Sequence, residues 1–213
     1  MATLTSAPVK SLLATLYADA ERTGERFGRQ RAELIAQGHR PGSPELAAAA
    51  RLAHLAVTPE GGRLLYLLAR TSKARTVVEF GTSFGVSTLH LAAALRDNGG
   101  GLLVTTEIEP TKAAATRATL DEAGLADLVE ILEGNALETL PRRRPRAIDL
   151  VFLDGRADLY VDVLRLLEPD LAPGAVIVAD NAEAPGYREY IATHDQYVTV
   201  SFGERVEVTL FAG

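Results

Sequence analysis

Val78-Glu79-Phe80-Gly81-Thr82-Ser83-Phe84-Gly85-Val86-Ser87 decides how the chain is read. An apolar run ends in an acid, a turn bracketed by glycines follows, and the helix-compatible stretch Val86–Arg96 begins at once. Glycines let the backbone turn tightly and approach a ligand, while the helix amino terminus offers unpaired N–H donors. A dinucleotide site would present Gly-x-Gly-x-x-Gly here, packed against a pyrophosphate. Instead an acid precedes the first glycine and the middle glycine is missing. A carboxylate at that spot repels phosphate and suits a ligand carrying an ammonium group. An ordinary strand-to-helix turn is the competing reading.

On either side of this turn, short apolar runs predict strands at Thr76–Phe80, Leu102–Glu107, Leu128–Glu133, Ile148–Leu153 and Ala175–Ala179. Helices are expected between them at Val86–Arg96, Pro110–Ala123, Ala136–Leu140 and Leu159–Leu167. This alternation implies an α/β fold, a mostly parallel sheet with helices on both faces. Tyr197–Phe202 and Arg205–Phe211, joined by Gly203-Glu204, break the alternation and read as an antiparallel hairpin. A dehydrogenase, whose two halves stay parallel, would not end this way.

Before about Thr71 the pattern is helical throughout. Val9, Leu12, Leu13, Leu16 and Tyr17 recur at helical spacing, and a second stretch covers Arg29–Gln37, ended by Gly38 and the turn signal Arg40-Pro41-Gly42-Ser43. Ser43 and Pro44 open the helix-forming run Ala47–Leu55, and Thr58-Pro59-Glu60 opens another. The expected organisation is a single domain over 1–213, with a helical cap or dimerisation segment at 1–70 and the core at 71–213.

Composition narrows the function classes. The net charge of −6 argues against nucleic acid, and the absence of tryptophan argues against an aromatic stacking platform. No apolar run approaches the ~18 residues of a membrane span, and Met1–Ser11 lacks a secretory pattern, so a cytoplasmic protein is expected. With no cysteine, thiolate ligands and thiol nucleophiles are excluded.

Two further signals sit at strand ends. Glu107, about 20 residues past the glycine turn, stands where α/β folds accept ribose hydroxyls, whereas Glu109 favours the next helix dipole. Asp154 and the pair Asp180-Asn181 end neighbouring strands and form a hard-oxygen set of the kind Mg²⁺ accepts, with helix capping as the bland alternative.

Taken together, Val57-Thr58-Pro59-Glu60-Gly61, Val78 to Ser87, Thr106-Glu107-Ile108, Glu133-Gly134-Asn135-Ala136, Phe152-Leu153-Asp154 and Val178-Ala179-Asp180-Asn181 make the chain resemble the S-adenosylmethionine-dependent O-methyltransferases of the catechol and caffeoyl-CoA type. The resemblance runs from about Val57 to Phe211. It implies a Rossmann-like class I methyltransferase fold, seven strands closed by the hairpin, with extra N-terminal helices and a homodimer. It further implies that Glu79, Gly81, Thr82 and Ser87 hold the methionine portion of the cofactor, and that Val57 closes over it. Glu107 would bind the ribose, with Ile108 and Ala136 against the adenine. Asp154 would touch both cofactor and metal, and Asp180 and Asn181 would complete the site for Mg²⁺ or another divalent cation.

The implied reaction is methyl transfer to a hydroxyl of a small catechol-like or phenolic acceptor, the metal acidifying that hydroxyl. One position departs from the family pattern. Such enzymes carry a lysine three residues after the first metal aspartate, and here Ala157 stands there. Arg156 is one residue away but is a poor base, and His54 beside the Val57 turn is the other candidate proton acceptor. A metal-independent methyltransferase acting on oxygen or nitrogen, and a cofactor-binding protein without turnover, are the alternatives. Arg142-Arg143-Arg144-Pro145-Arg146 reads as a solvated loop and His90 as structural.

Overall fold

A computed structural model describes residues 2–213 except 41, 42, 52, 144 and 183–185. Pro41 and Gly42 of the expected turn, Leu52, Arg144 of the arginine run and residues 183–185 after Asp180-Asn181 thus lie outside the described residues. The helices are α1 (Ala7–Ala36), α2 (Pro44–Ala50), α3 (Pro59–Thr71), α4 (Val86–Asp97), α5 (Pro110–Ala123), α6 (Ala136–Arg143), α7 (Tyr160–Leu167) and α8 (Tyr187–Ala192). The strands are β1 (Thr76–Phe80), β2 (Leu102–Glu107), β3 (Val129–Glu133), β4 (Ile148–Leu153), β5 (Leu171–Ala179), β6 (Tyr197–Phe202) and β7 (Val206–Phe211).

They form one seven-stranded sheet in the order β3-β2-β1-β4-β5-β7-β6. β1 to β5 pair in parallel, while β7 runs antiparallel to both β5 and β6. Because side chains alternate along a strand, the central strands feed two cores. Val77, Leu103, Leu150, Phe152 and Val178 pack into one layer with α1, α3 and α4. Val78, Phe80, Val104, Val151, Leu153 and Ile177 pack into the other with α6, α7 and α8. Helices therefore cover both faces, as the expected class I methyltransferase fold requires.

Helix α4 is buried almost all round, which explains its apolar sequence. It meets α3 closely enough that a Cβ on Gly62 would stand 2.5 Å from the His90 ring. His90 Nδ1 bonds the Val86 carbonyl at 2.8 Å, and burial lowers its pKa, so His90 is a packing residue as expected.

Five elements depart from the sequence reading. α2 ends at Ala50, five residues short of the expected Leu55. The two helical stretches before Gly38 are one continuous helix, α1, because the charged residues between them form helix readily and no proline interrupts them. β5 starts at Leu171, four residues earlier than expected, and accommodates Pro173-Gly174 by a register shift against β4. α8 was not expected. The arginine run is not a free loop: Arg142 and Arg143 close α6, Arg143 pairs with Glu130 at 2.5 Å, and Arg146 pairs with Asp170 at 3.2 Å.

Candidate functional site

β1 is the switch point of the sheet: successive connections lead from it toward β2 and β3, then back past it to β4 and β5. Ligands bind in open α/β sheets at the carboxyl ends of the strands beside such a switch. A cavity of about 890 Å³ opens there, lined by the ends of β2, β1, β4 and β5. Neighbouring strands lie about 4.8 Å apart, so this row spans roughly 14 Å.

The middle of the row is the glycine turn. Gly81 has φ +102, and a Cβ there would approach the Asp154 carbonyl to 2.7 Å. Gly85 caps α4 in the left-handed region, tight against Thr116. Both positions exclude a side chain for geometric reasons. Thr82 binds inward, its amide and hydroxyl both donating to the Thr106 carbonyl. Gly81, Thr82 and Ser87 line the cavity. Two neighbours on the lining, Ser83 and Thr106, carry buried hydroxyl oxygens that lack a hydrogen-bond partner. Such atoms call for a polar ligand or water.

Glu79 lies beneath this turn and does not line the cavity; it is fully buried. Its Oε2 accepts from Thr88 at 2.6 Å and Thr105 at 2.7 Å, while Oε1 has no partner. Burial pushes its carboxyl up to about 7, with the hydroxyls of Ser87, Thr88 and Thr105 opposing the shift and the Glu107 charge adding to it. Glu79 thus stands below the turn as a carboxyl whose charged form burial disfavours. Val57 is likewise packed in the core and does not line the cavity.

At the β2 end, Glu107 accepts the Ser83 amide at 2.8 Å on one oxygen and the Glu109 amide at 2.9 Å on the other. Two backbone donors fix the carboxylate and leave it further lone pairs for the cavity. Exposed Ile108 forms an apolar shelf beside it, opposite Gly134, Ala136 and Leu137. Buried Lys112 closes this end, donating to the Ala50 carbonyl at 3.2 Å. A diol-bearing ring at Glu107 and a flat apolar ring at Ile108 and Ala136 match a nucleoside, so these residues fit S-adenosylmethionine.

At the other end, the sheet ladder continues past the strands: Asp154 N bonds the Phe80 carbonyl at 2.9 Å, and Asp180 N bonds the Leu153 carbonyl at 3.0 Å. Tyr160 adds a bond to the Asp180 carbonyl at 2.7 Å. Asp154, Asp180 and Asn181 are therefore brought together. Asn181, at φ +56, donates from Nδ2 to Asp154 at 3.3 Å, while its Oδ1 accepts from Arg205 at 2.6 Å. The same guanidinium lies 3.5 Å from Asp180. Burial, then the charges of Asp180 and Glu79, hold the Asp154 carboxyl well above its usual range, and Arg205 opposes them. The oxygen donors are of the kind a divalent ion takes, but the amide oxygen is already bound to a guanidinium. This arrangement does not fit Mg²⁺.

Neither candidate proton acceptor is placed for that task. The His54 ring stacks on Phe84 at 3.6 Å and is absent from the lining, and burial lowers its pKa. Arg156 lines the cavity, but Asp158 holds its guanidinium and raises its pKa further. The sequence reading missed Thr88 and Thr105 beneath Glu79, Lys112, and Phe27 and Arg31 of α1, which join the lining from far up the chain. It also missed Arg205, whose place in a hairpin turn gives no local signal.

A methyltransferase-domain family model matches residues 78–182. A catechol O-methyltransferase of Mycobacterium tuberculosis is 41% identical over 133 residues, covering 62% of this chain and 60% of the relative. The chain thus spans about 60% of the length of that relative, and the same share of a catechol O-methyltransferase from Niastella koreensis. A second M. tuberculosis protein, named "Probable O-methyltransferase", is 33% identical across 95% of this chain and 88% of its own length. Among solved structures, the O-methyltransferase TomG of Streptomyces achromogenes, in complex with SAM, superposes with a TM-score of 0.65 at 28% identity, covering 89% of this chain and 98% of its own. An O-methyltransferase from Bacillus cereus in complex with SAH gives 0.67 at 25% identity, covering 79% and 88%. Fold, strand-end residues and full-length likeness agree: the chain belongs to the family of S-adenosylmethionine-dependent O-methyltransferases.

Proposed function

We propose that the protein transfers a methyl group from S-adenosylmethionine to a hydroxyl oxygen of a small phenolic acceptor. The observation that carries this reading is the pairing of Glu107 with Asp154 along one cleft. Their strands lie two apart, about 10 Å, with the glycine turn between them. That spacing suits a nucleoside held at β2 whose substituent crosses β1 toward β4.

The cofactor supplies an electrophilic methyl on a sulfonium: an O–CH₃ bond forms as the S–CH₃ bond breaks, and the acceptor proton leaves to water. The chain's share is alignment and charge. Glu107, fixed by two backbone amides, accepts the ribose hydroxyls, and Ile108 and Ala136 sandwich the adenine. Gly81, Thr82 and Ser87 let the backbone close on the amino-acid tail, and the cofactor's ammonium and sulfonium favour the ionised forms of Glu79 and Asp154, whose carboxyls burial otherwise holds high. Holding donor and acceptor in line accounts for much of the rate.

A homodimer is part of this reading, supported by the exposed apolar row Val198, Val200 and Phe202 on edge strand β6. The metal assistance expected from the sequence would require Arg205 to leave Asn181.

The test is methyl transfer from isotopically labelled S-adenosylmethionine to a panel of catechols, monophenols and amines. Labelled methyl ethers of phenols support the proposal. Turnover confined to amines, or cofactor binding with no turnover, would overturn it.

A further inference from the structure

Resting on the O-methyl transfer reading, we propose that Arg205 is the resident cation of the acceptor end, supplying from the protein the positive charge that a divalent metal would otherwise bring. Three observations support this. Arg205 does not reach the site by side-chain flexibility alone: its carbonyl accepts the Ala182 amide at 2.8 Å, tying the hairpin turn to the loop that carries Asp180 and Asn181. Its Nη2 is 2.6 Å from the Asn181 oxygen and 3.5 Å from Asp180, and Asn181 passes the contact on to Asp154. The neighbouring arginines are engaged elsewhere, Arg156 with Asp158 and Arg188 with Glu207 and the Glu204 carbonyl.

The chemistry separates the two cations. Mg²⁺ needs about six oxygens near 2.1 Å in an octahedron, so it competes directly for the Asn181 oxygen. A guanidinium needs no such shell. It is always charged, presents five N–H donors in a fixed plane and is only weakly hydrated. The Arg205 side chain is 60% exposed and lines the cleft, so donors not used by Asn181 and Asp180 are open to a ligand there. An acceptor oxygen that gains negative charge during transfer can take a charge-assisted hydrogen bond from them. With alanine at position 157, that end holds no lysine at the usual place to share this task. Arg205 therefore binds the acceptor oxygen and lowers the affinity of the site for divalent ions.

Mn²⁺ binding to the purified full chain, read by electron paramagnetic resonance, tests this without any acceptor. The expected result is weak, millimolar binding to the wild type, at least tenfold tighter binding to Arg205→Ala, and binding to Arg205→Lys within threefold of the wild type. Both variants should keep the far-ultraviolet circular dichroism spectrum of the wild type, which controls for folding. Methylation by the wild type should be unchanged within twofold by EDTA, whereas Arg205→Ala should lose at least tenfold of its metal-free rate and recover part of it with Mn²⁺. Micromolar Mn²⁺ binding by the wild type, or equal Mn²⁺ affinity in wild type and Arg205→Ala, overturns the proposal. Should no acceptor be methylated at all, the O-methyl transfer reading fails, while the Mn²⁺ titration still decides the place of Arg205.

Discussion

The two ends of the cleft hold carboxylates by different means. At β2, Glu107 is fixed by two backbone amides, Ser83 in the glycine turn after β1 and Glu109 at the start of α5. At β4 and β5, Asp154 and Asp180 are balanced by a side chain that arrives from a hairpin near the end of the chain. The first arrangement uses main-chain donors, whose positions the turn and the helix start fix. The second uses a half-exposed side chain, so one arginine sets which cation stands beside the two acids. The nucleoside grip should accordingly tolerate little change, whereas the acceptor end can alter its chemistry through one side chain.

The largest expected effect falls on the rigid end. Glu107→Ala removes the carboxylate proposed to accept both ribose hydroxyls and leaves two amides unpaired. With charged hydrogen bonds contributing about 1.5–3 kcal/mol each, S-adenosylhomocysteine affinity should fall a hundredfold or more by calorimetry. A loss below tenfold would place the ribose elsewhere.

Glu79 probes what lies beneath both ends. Its carboxyl is held at about 7 in the fold against 4.5 in the unfolded chain. The folded state therefore binds the proton more tightly. This contribution to stability is complete below pH 4.5, declines as pH rises and is gone above about 7. The shift corresponds to about 3 kcal/mol. In the cofactor-free protein, Glu79→Gln should flatten the fall in urea stability between about pH 5 and about pH 8. An unchanged pH slope would show that Glu79 is not the group responsible.

Gly81→Ala tests the turn joining the two ends. The left-handed φ and the contact with the Asp154 carbonyl should cost about 1–3 kcal/mol. That corresponds to a Tm lower by roughly 2–10 °C. An unchanged Tm would mean that the turn has room the geometry does not show. The smallest effect is expected at Arg51, which pairs with Glu109 at 2.8 Å across the rim of the rigid end. It is mostly exposed, so Arg51→Ala should change cofactor affinity less than about threefold, as surface pairs usually do.

This division also marks what the sequence could reveal. β1, β2 and β4 were bounded correctly because buried parallel strands read as short continuous apolar runs. Gly81, Thr82, Ser87, Glu107, Ile108, Ala136, Asp154, Asp180 and Asn181 all reach the cavity lining because each sits at a strand end, in the turn after it or in the first turn of the helix that follows. Glu79 and Val57 do not, since period-2 alternation turns Glu79 under the floor and packing draws Val57 into the core. Arg205, Phe27 and Arg31 could not be found from spacing. They meet the site only through sheet order and helix packing, which bring together residues far apart in sequence. Proline and glycine misled locally at β5, where a register shift absorbs Pro173-Gly174.

The assigned function requires the cleft to be a nucleoside site with its reactive end toward β4. A crystal structure of the full chain with S-adenosylhomocysteine tests this directly. The ribose hydroxyls should lie within hydrogen-bond distance of Glu107, the adenine between Ile108 and Ala136, and the sulfur should face Asp154 and Arg205. A ligand lying outside the row of strand ends, or one whose ribose leaves Glu107 untouched, would contradict the assignment.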